Sequence, residues 1–240
     1  MKNTSKTIFL VLAMILVSLA GIGCGSSNDT ASARDPFTSD MMMAAKNAGY
    51  KYLDIDEMKA LYDGIADMNS DFMALSETLD PGVYTVMNKD ELNVLYSSQV
   101  SALADFPYND KMTSATLITK GHLAASTEYS MVAIAFEFDS ADSAKAYYDS
   151  QSHQINDLFE KYPGVANIML DVNDVDNGVT YHCCRYGLNG EDSAAETFYN
   201  CSYLAGKYVL AFTGFDGASN KSATPAIVNL CNDMNLVCPA

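Results

Sequence analysis

The chemistry available to this sequence concentrates in five late cysteines: Cys183, Cys184, Cys201, Cys231 and Cys238. Thiols pair, ligate soft metals, or attack as thiolates. Five is an odd number, so at least one stays a thiol or pairs outside the chain. Two strands expected over 178–187 and 196–204 bring Cys183 or Cys184 opposite Cys201. Neighbours in a strand point to opposite faces, so the two are alternatives. Cys231 falls on the inner stripe of an expected last helix. Cys238 lies seven residues further on and can fold back to staple the C-terminus. The candidate disulfide set is therefore Cys184, Cys201, Cys231 and Cys238, with Cys183 as the alternative to Cys184. Buried free thiols acting as small apolar groups are the competing reading.

His182-Cys183-Cys184 adds an imidazole to the sulfurs, and zinc or copper accepts both ligand types. His182 and Cys184 share a strand face, and Cys201 is expected nearby. The spacing argues against a metal centre. There is no CxxC and no HxxxH, and His122 and His153 fall in other elements. The run from Asp171 to Gly178 is rich in oxygen ligands, as calcium loops are. Its glycine is at the wrong offset for an EF-hand and the closing Glu is missing, so a solvated hairpin turn accounts for it. No GxSxG, HExxH, P-loop or SxxK paired with SDN occurs. No catalytic residue, metal or cofactor is assigned, and the reading leans away from an enzyme. Glu137 alternates away from Phe136 and Phe138 and reads as a surface carboxylate. Tyr181, Tyr199, Tyr203 and Tyr208, with Tyr186, cluster on the late strands. The first four form a candidate aromatic binding surface. Ordinary packing on a pleated sheet is the bland alternative.

The elements that must position these groups follow from periodicity. Met58, Leu61, Ile65, Met68, Phe72, Leu75 and Leu79 recur at helical spacing, with Asp54 or Asp56 to cap the start and Asp80-Pro81-Gly82 to stop it. A shorter helix is expected over 40–47 with Gly49 as its stop. A third begins at Lys89, with Asn88 and Glu91 as a capping box, and runs to about Leu103. From residue 106 the pattern changes. Strands are expected over 113–120 and 128–138, with Val132, Ile134, Phe136 and Phe138 on the core face. Asp139-Ser140 starts a helix carrying Ala144, Tyr148, Ile155, Leu158, Phe159 and Tyr162 on one side. Asn177-Gly178 joins strands over 166–173 and 178–187. Ala205-Gly206 turns strands over 196–204 and 207–215. Thr224-Pro225 opens the last helix, with Ile227, Leu230, Cys231 and Met234 inward. The expected fold class is α+β: a helical part over 36–105, then a mainly antiparallel sheet over 106–240 ordered β-β-α-β-β-β-β-α, with helices packed on one side. The two parts can also form one domain.

Composition bounds the function. The chain has 240 residues, 49% hydrophobic, and a formal charge of −16. It is apolar enough to build a core. It is too acidic for a nucleic-acid binder, which needs clustered Lys and Arg.

The first residues read as an address. Lys2 and Lys6 precede an apolar run from Ile8 to Ala20, then small residues, then Cys24. That is the layout of a secretory signal. Gly23-Cys24 resembles the lipobox of bacterial lipoproteins. The resemblance implies cleavage before Cys24, acylation of Cys24 by palmitate-type chains, and a flexible tether over 24–35. Gly21 stands where the lipobox usually has Leu. Three further stretches resemble small uncharacterised lipoproteins of Gram-positive bacteria: Ala48-Gly49-Tyr50, the run Ala135 to Ala144, and Tyr199 to Tyr203 with Gly206-Lys207-Tyr208. That resemblance implies location and fold class, with no activity attached. The expectation is a lipid-anchored extracytoplasmic protein, partnered by the membrane through Cys24 and by an unidentified protein or small molecule. It would be a non-enzymatic binding or accessory domain. An envelope enzyme, or a metal or redox accessory using the late cysteines, is the alternative.

Overall fold

A computed structural model of the chain describes residues 37–66, 81–97, 109–121, 130–161, 164, 166–188, 197–216 and 223–239. Five helices and eight strands are seen among them. In chain order they are α1 (Phe37–Asn47), β1 (Lys51–Tyr52), α2 (Ile55–Ala66), β2 (Val83–Asn88), α3 (Lys89–Ser97), β3 (Met112–Gly121), β4 (Ser130–Phe138), α4 (Ala141–Lys161), β5 (Ala166–Asp176), β6 (Val179–Leu188), β7 (Thr197–Ala205), β8 (Tyr208–Asp216) and α5 (Thr224–Asp233). The signal, the tether and Cys24 lie outside the described residues, as do Met68, Phe72, Leu75 and Leu79.

Local signals explain several boundaries. Asn88 Oδ1 accepts from the Glu91 amide while Glu91 accepts from the Asn88 amide at 2.8 Å, a reciprocal box that starts α3. Asp54, rather than Asp56, makes the same box with Glu57 before α2. Ser140 caps α4 through the Ser143 amide. Asn177 and Gly178 both take positive φ, as a two-residue hairpin turn requires. α1 starts at Phe37, a turn earlier than expected, because Phe37 and Met41 are both fully buried against the sheet.

The strands form one sheet in the order β1-β2-β3-β4-β8-β7-β6-β5. Every pairing is antiparallel except the short β1–β2 ladder. Residues 36–105 are thus not wholly helical. Val83–Asn88 is a six-residue strand hydrogen-bonded along β3. The sheet takes strands from both sides of residue 105.

The helices do not pack on one side, which corrects the sequence expectation. α1 and α5 cover one face, burying Met41, Ala45, Ile227 and Leu230 against Ile118, Ala133, Leu210 and Phe212. α2, α3 and the first half of α4 cover the other face, burying Met58, Leu92, Tyr147 and Tyr148 against Leu117, Ile134, Phe136 and Phe138. The physical reason lies in β4. Met131, Ala133 and Ala135 are as buried as Val132, Ile134 and Phe136. A strand with both faces apolar must be covered on both. No helix among the described residues is long and apolar enough to cross a membrane.

Candidate functional site

β6 and β7 pair so that Cys183 stands directly opposite Cys201, and the two form a disulfide. Cys184 stands opposite Asn200 on the other face. Cys183 is therefore the partner and Cys184 is not, a correction that follows from strand parity. The disulfide lies on the face covered by α1 and α5, among Tyr181, Tyr199 and Tyr203.

The end of α5 brings two more sulfurs to the same place. Asn235 has a φ of 54°, its amide donates to the Asn232 carbonyl, and the Leu236 amide reaches back to the Cys231 carbonyl at 2.8 Å. This is a Schellman turn with Asn in the left-handed position. It reverses the chain and lays residues 236–239 over β7. Leu236 is buried there, and Cys238 is half-buried. Cys231 and Cys238 lie near enough to shift one another's ionisation, and they are not joined by a disulfide. The expected disulfide staple is therefore not formed, and both cysteines are free thiols.

Two tyrosines tie the sulfurs together. The Tyr199 hydroxyl lies 3.2 Å from Cys238 Sγ and donates to the Pro239 carbonyl. The Tyr203 hydroxyl donates to the Val237 carbonyl at 2.9 Å and lies 3.5 Å from Cys231 Sγ and 3.7 Å from Cys183 Sγ. Tyr203 thus touches both sulfur pairs. Burial raises both phenols well above their ordinary range.

These contacts treat the cysteines differently. The interaction with Cys231 pulls the Cys238 thiol down to about 7, against the effect of burial. The same interaction, and then burial, push the Cys231 thiol up. Burial, reinforced by Asp171, pushes Cys184 up to about 12. A buried thiol of that kind stays protonated and inert, whereas a thiolate is the reactive species.

The tyrosine surface expected from sequence is not a surface. Tyr199 is 1% exposed, Tyr203 is 0%, and Tyr181 and Tyr208 are each 6%. Parity explains it: Tyr181, Tyr199 and Tyr203 all point to the face that α1, α5 and the C-terminal segment cover. Nor do His182, Cys184 and Cys201 converge. His182 and Cys184 share one face, and Cys201 is on the other. His182 Nε2 instead bonds Asp171 at 2.7 Å. No group of three potential metal ligands occurs among the described residues. Asp176 and Asn177 bond each other at the hairpin turn of the acidic run. Glu137 is half-buried and paired with Lys207 and Ser114, which together with the Lys207 charge hold its carboxyl below the usual range against the opposing effect of burial.

The sequence reading missed the role of Tyr199 and Tyr203 as hydroxyl contacts to sulfur. Met234-Asn235-Leu236 was the available signal, since Asn after a helix predicts a left-handed turn and a returning chain. No family model matches the chain, and no curated protein matches it.

Proposed function

We propose that the chain is a lipoprotein of the extracytoplasmic face of the cell membrane, held by acyl chains on Cys24, with a non-enzymatic binding or accessory role in the envelope. The observation that carries this reading is the order basic Lys2 and Lys6, apolar Ile8 to Ala20, then Gly23-Cys24. The Cys183–Cys201 disulfide supports it, because disulfides persist in oxidising compartments and are rare in the cytosol. Each acyl CH₂ buried in lipid contributes about 0.8 kcal/mol, and two chains suffice for stable anchoring. Residues 24–35 serve as the tether. The tethered unit spans 36–240, with the part from residue 106 ordered β-β-α-β-β-β-β-α. The partner is a protein or small molecule rather than nucleic acid, given the charge of −16.

The test is membrane partition in a bacterial host that acylates lipoproteins. The wild-type chain stays with the membrane after a high-salt wash and enters the detergent phase. Cys24→Ala is expected to lose the detergent-phase behaviour. Equal partition of the two overturns the anchor.

A further inference from the structure

Cys231 and Cys238 are neither a structural disulfide nor a pair of inert core thiols. The turn after the helix brings Cys238 back toward Cys231, one is buried and the other half-buried, and two hydroxyls lie against the sulfurs, Tyr203 3.5 Å from Cys231 Sγ and Tyr199 3.2 Å from Cys238 Sγ. The Asn235 turn holds the pair together from one side, and the Tyr199 and Tyr203 bonds to the Pro239 and Val237 carbonyls hold it from the other. We propose that Cys231 and Cys238 are a redox-active dithiol that exchanges with small disulfides of the glutathione class, Cys238 attacking and Cys231 resolving, to close a second intramolecular disulfide. This goes beyond the anchoring proposal and does not depend on it, since the purified chain carries every group required.

The geometry divides the roles. Cys238 can be reached from solvent, and Cys231 cannot. The interaction with Cys231 favours the thiolate on Cys238, the form that attacks. In the first step the Cys238 thiolate attacks one sulfur of RSSR. A Cys238–SR bond forms, the S–S bond of RSSR breaks, and RS⁻ leaves. In the second step RS⁻ takes the proton of Cys231, and the Cys231 thiolate attacks Cys238 Sγ. The Cys231–Cys238 bond forms and the second RS⁻ leaves. The balance is one thiolate, one thiol and RSSR giving one disulfide, RSH and RS⁻. The Cys183–Cys201 disulfide is a spectator. Reversal needs only an excess of RSH.

The experiment exposes the purified full chain to oxidised glutathione near neutral pH and assigns every cysteine by peptide mapping. The expected result is a Cys231–Cys238 cross-linked peptide, no glutathione retained on either residue, an unchanged Cys183–Cys201 link, and return of both thiols with reduced glutathione. Cys231→Ser is expected to retain one glutathione on Cys238. Cys238→Ser is expected to slow the loss of Cys231 thiol by at least about tenfold, since the reactive thiolate is gone. Should either variant fail to fold, the wild-type peptide map decides alone. Stable glutathione on wild-type Cys238, survival of both thiols, or a link from either residue to Cys183, Cys184 or Cys201 overturns the proposal.

Discussion

The Tyr203 hydroxyl lies 3.5 Å from Cys231 Sγ, so a strand at the heart of the sheet touches the last turn of the last helix through one phenol. The same oxygen bonds the Val237 carbonyl and contacts Cys183. The C-terminal segment is thereby fixed on the sheet by polar contacts as well as by Leu236. Loss of the hydroxyl in Tyr203→Phe removes the bond to the Val237 carbonyl. An ordinary hydrogen bond contributes about 0.5–1.5 kcal/mol. The urea midpoint of Tyr203→Phe should fall accordingly, with earlier amide exchange at residues 236–239.

The Cys183–Cys201 disulfide closes a sequence separation of 18 residues. In the chain-entropy account, a loop of that size stabilises by about 3 kcal/mol. Cys183→Ala/Cys201→Ala should lower the unfolding free energy by about that amount, measured by denaturant titration. Cys184→Ala should leave the disulfide intact, and mapping by mass would show it.

Much of the local structure was legible in the sequence. The Asn88–Glu91 box, the Asn177-Gly178 turn and the inward stripe of α5 are each set by neighbours in the chain. What was not legible depends on long-range pairing. Val83 to Asn88 carries only a short apolar pattern and becomes a strand because β3 is there to pair with it. Ala133 and Ala135 are too small to announce a second buried face. Choosing between Cys183 and Cys184 needed a register correct to one residue, since one step reverses the face. The burial of Tyr181, Tyr199 and Tyr203 follows from helices on both sides of the sheet, which the pattern of β4 alone did not reveal.

Asn235 sits in the left-handed region that only Gly and Asn visit readily. Asn235→Ala should cost about 1 kcal/mol, and Asn235→Gly should cost less. The alanine variant should also loosen the approach of Cys238 to Cys231, so that the Cys238 thiol titrates closer to an ordinary cysteine. A pH profile of alkylation at Cys238 reads this directly.

Gly214 faces α5. A Cβ there would meet Ile227 Cδ1 at 2.7 Å and Ala223 Cβ at 3.0 Å. Ile227 can rotate its tip, but Ala223 cannot move without the helix. Gly214→Ala is expected to destabilise by about 1–3 kcal/mol, as overpacking does. Thermal unfolding of the variant is the check.

The thiols and phenols of this face predict a pH dependence. Cys238 is depressed in the fold, so its stabilising contribution is complete above about pH 9, where the unfolded thiol also ionises, and is lost as pH falls through about 7. Cys184, Cys231, Tyr199 and Tyr203 are raised, so they stay protonated in the fold and ionise when it opens. Their effect is a fall in stability as pH rises beyond about 9. Denaturant midpoints taken across this range should therefore decline steeply on the alkaline side. Cys238→Ser should remove the loss on the side toward pH 7 and leave the alkaline decline.

The most direct measurement is the intact mass of the protein isolated from its native host, taken with and without reduction. The account predicts a chain beginning at Cys24, carrying acyl groups that Cys24→Ala abolishes, and gaining hydrogen on reduction from the Cys183–Cys201 bond. An unacylated mass, or one that retains the residues before Cys24, would contradict the lipid anchor and the envelope role built on it.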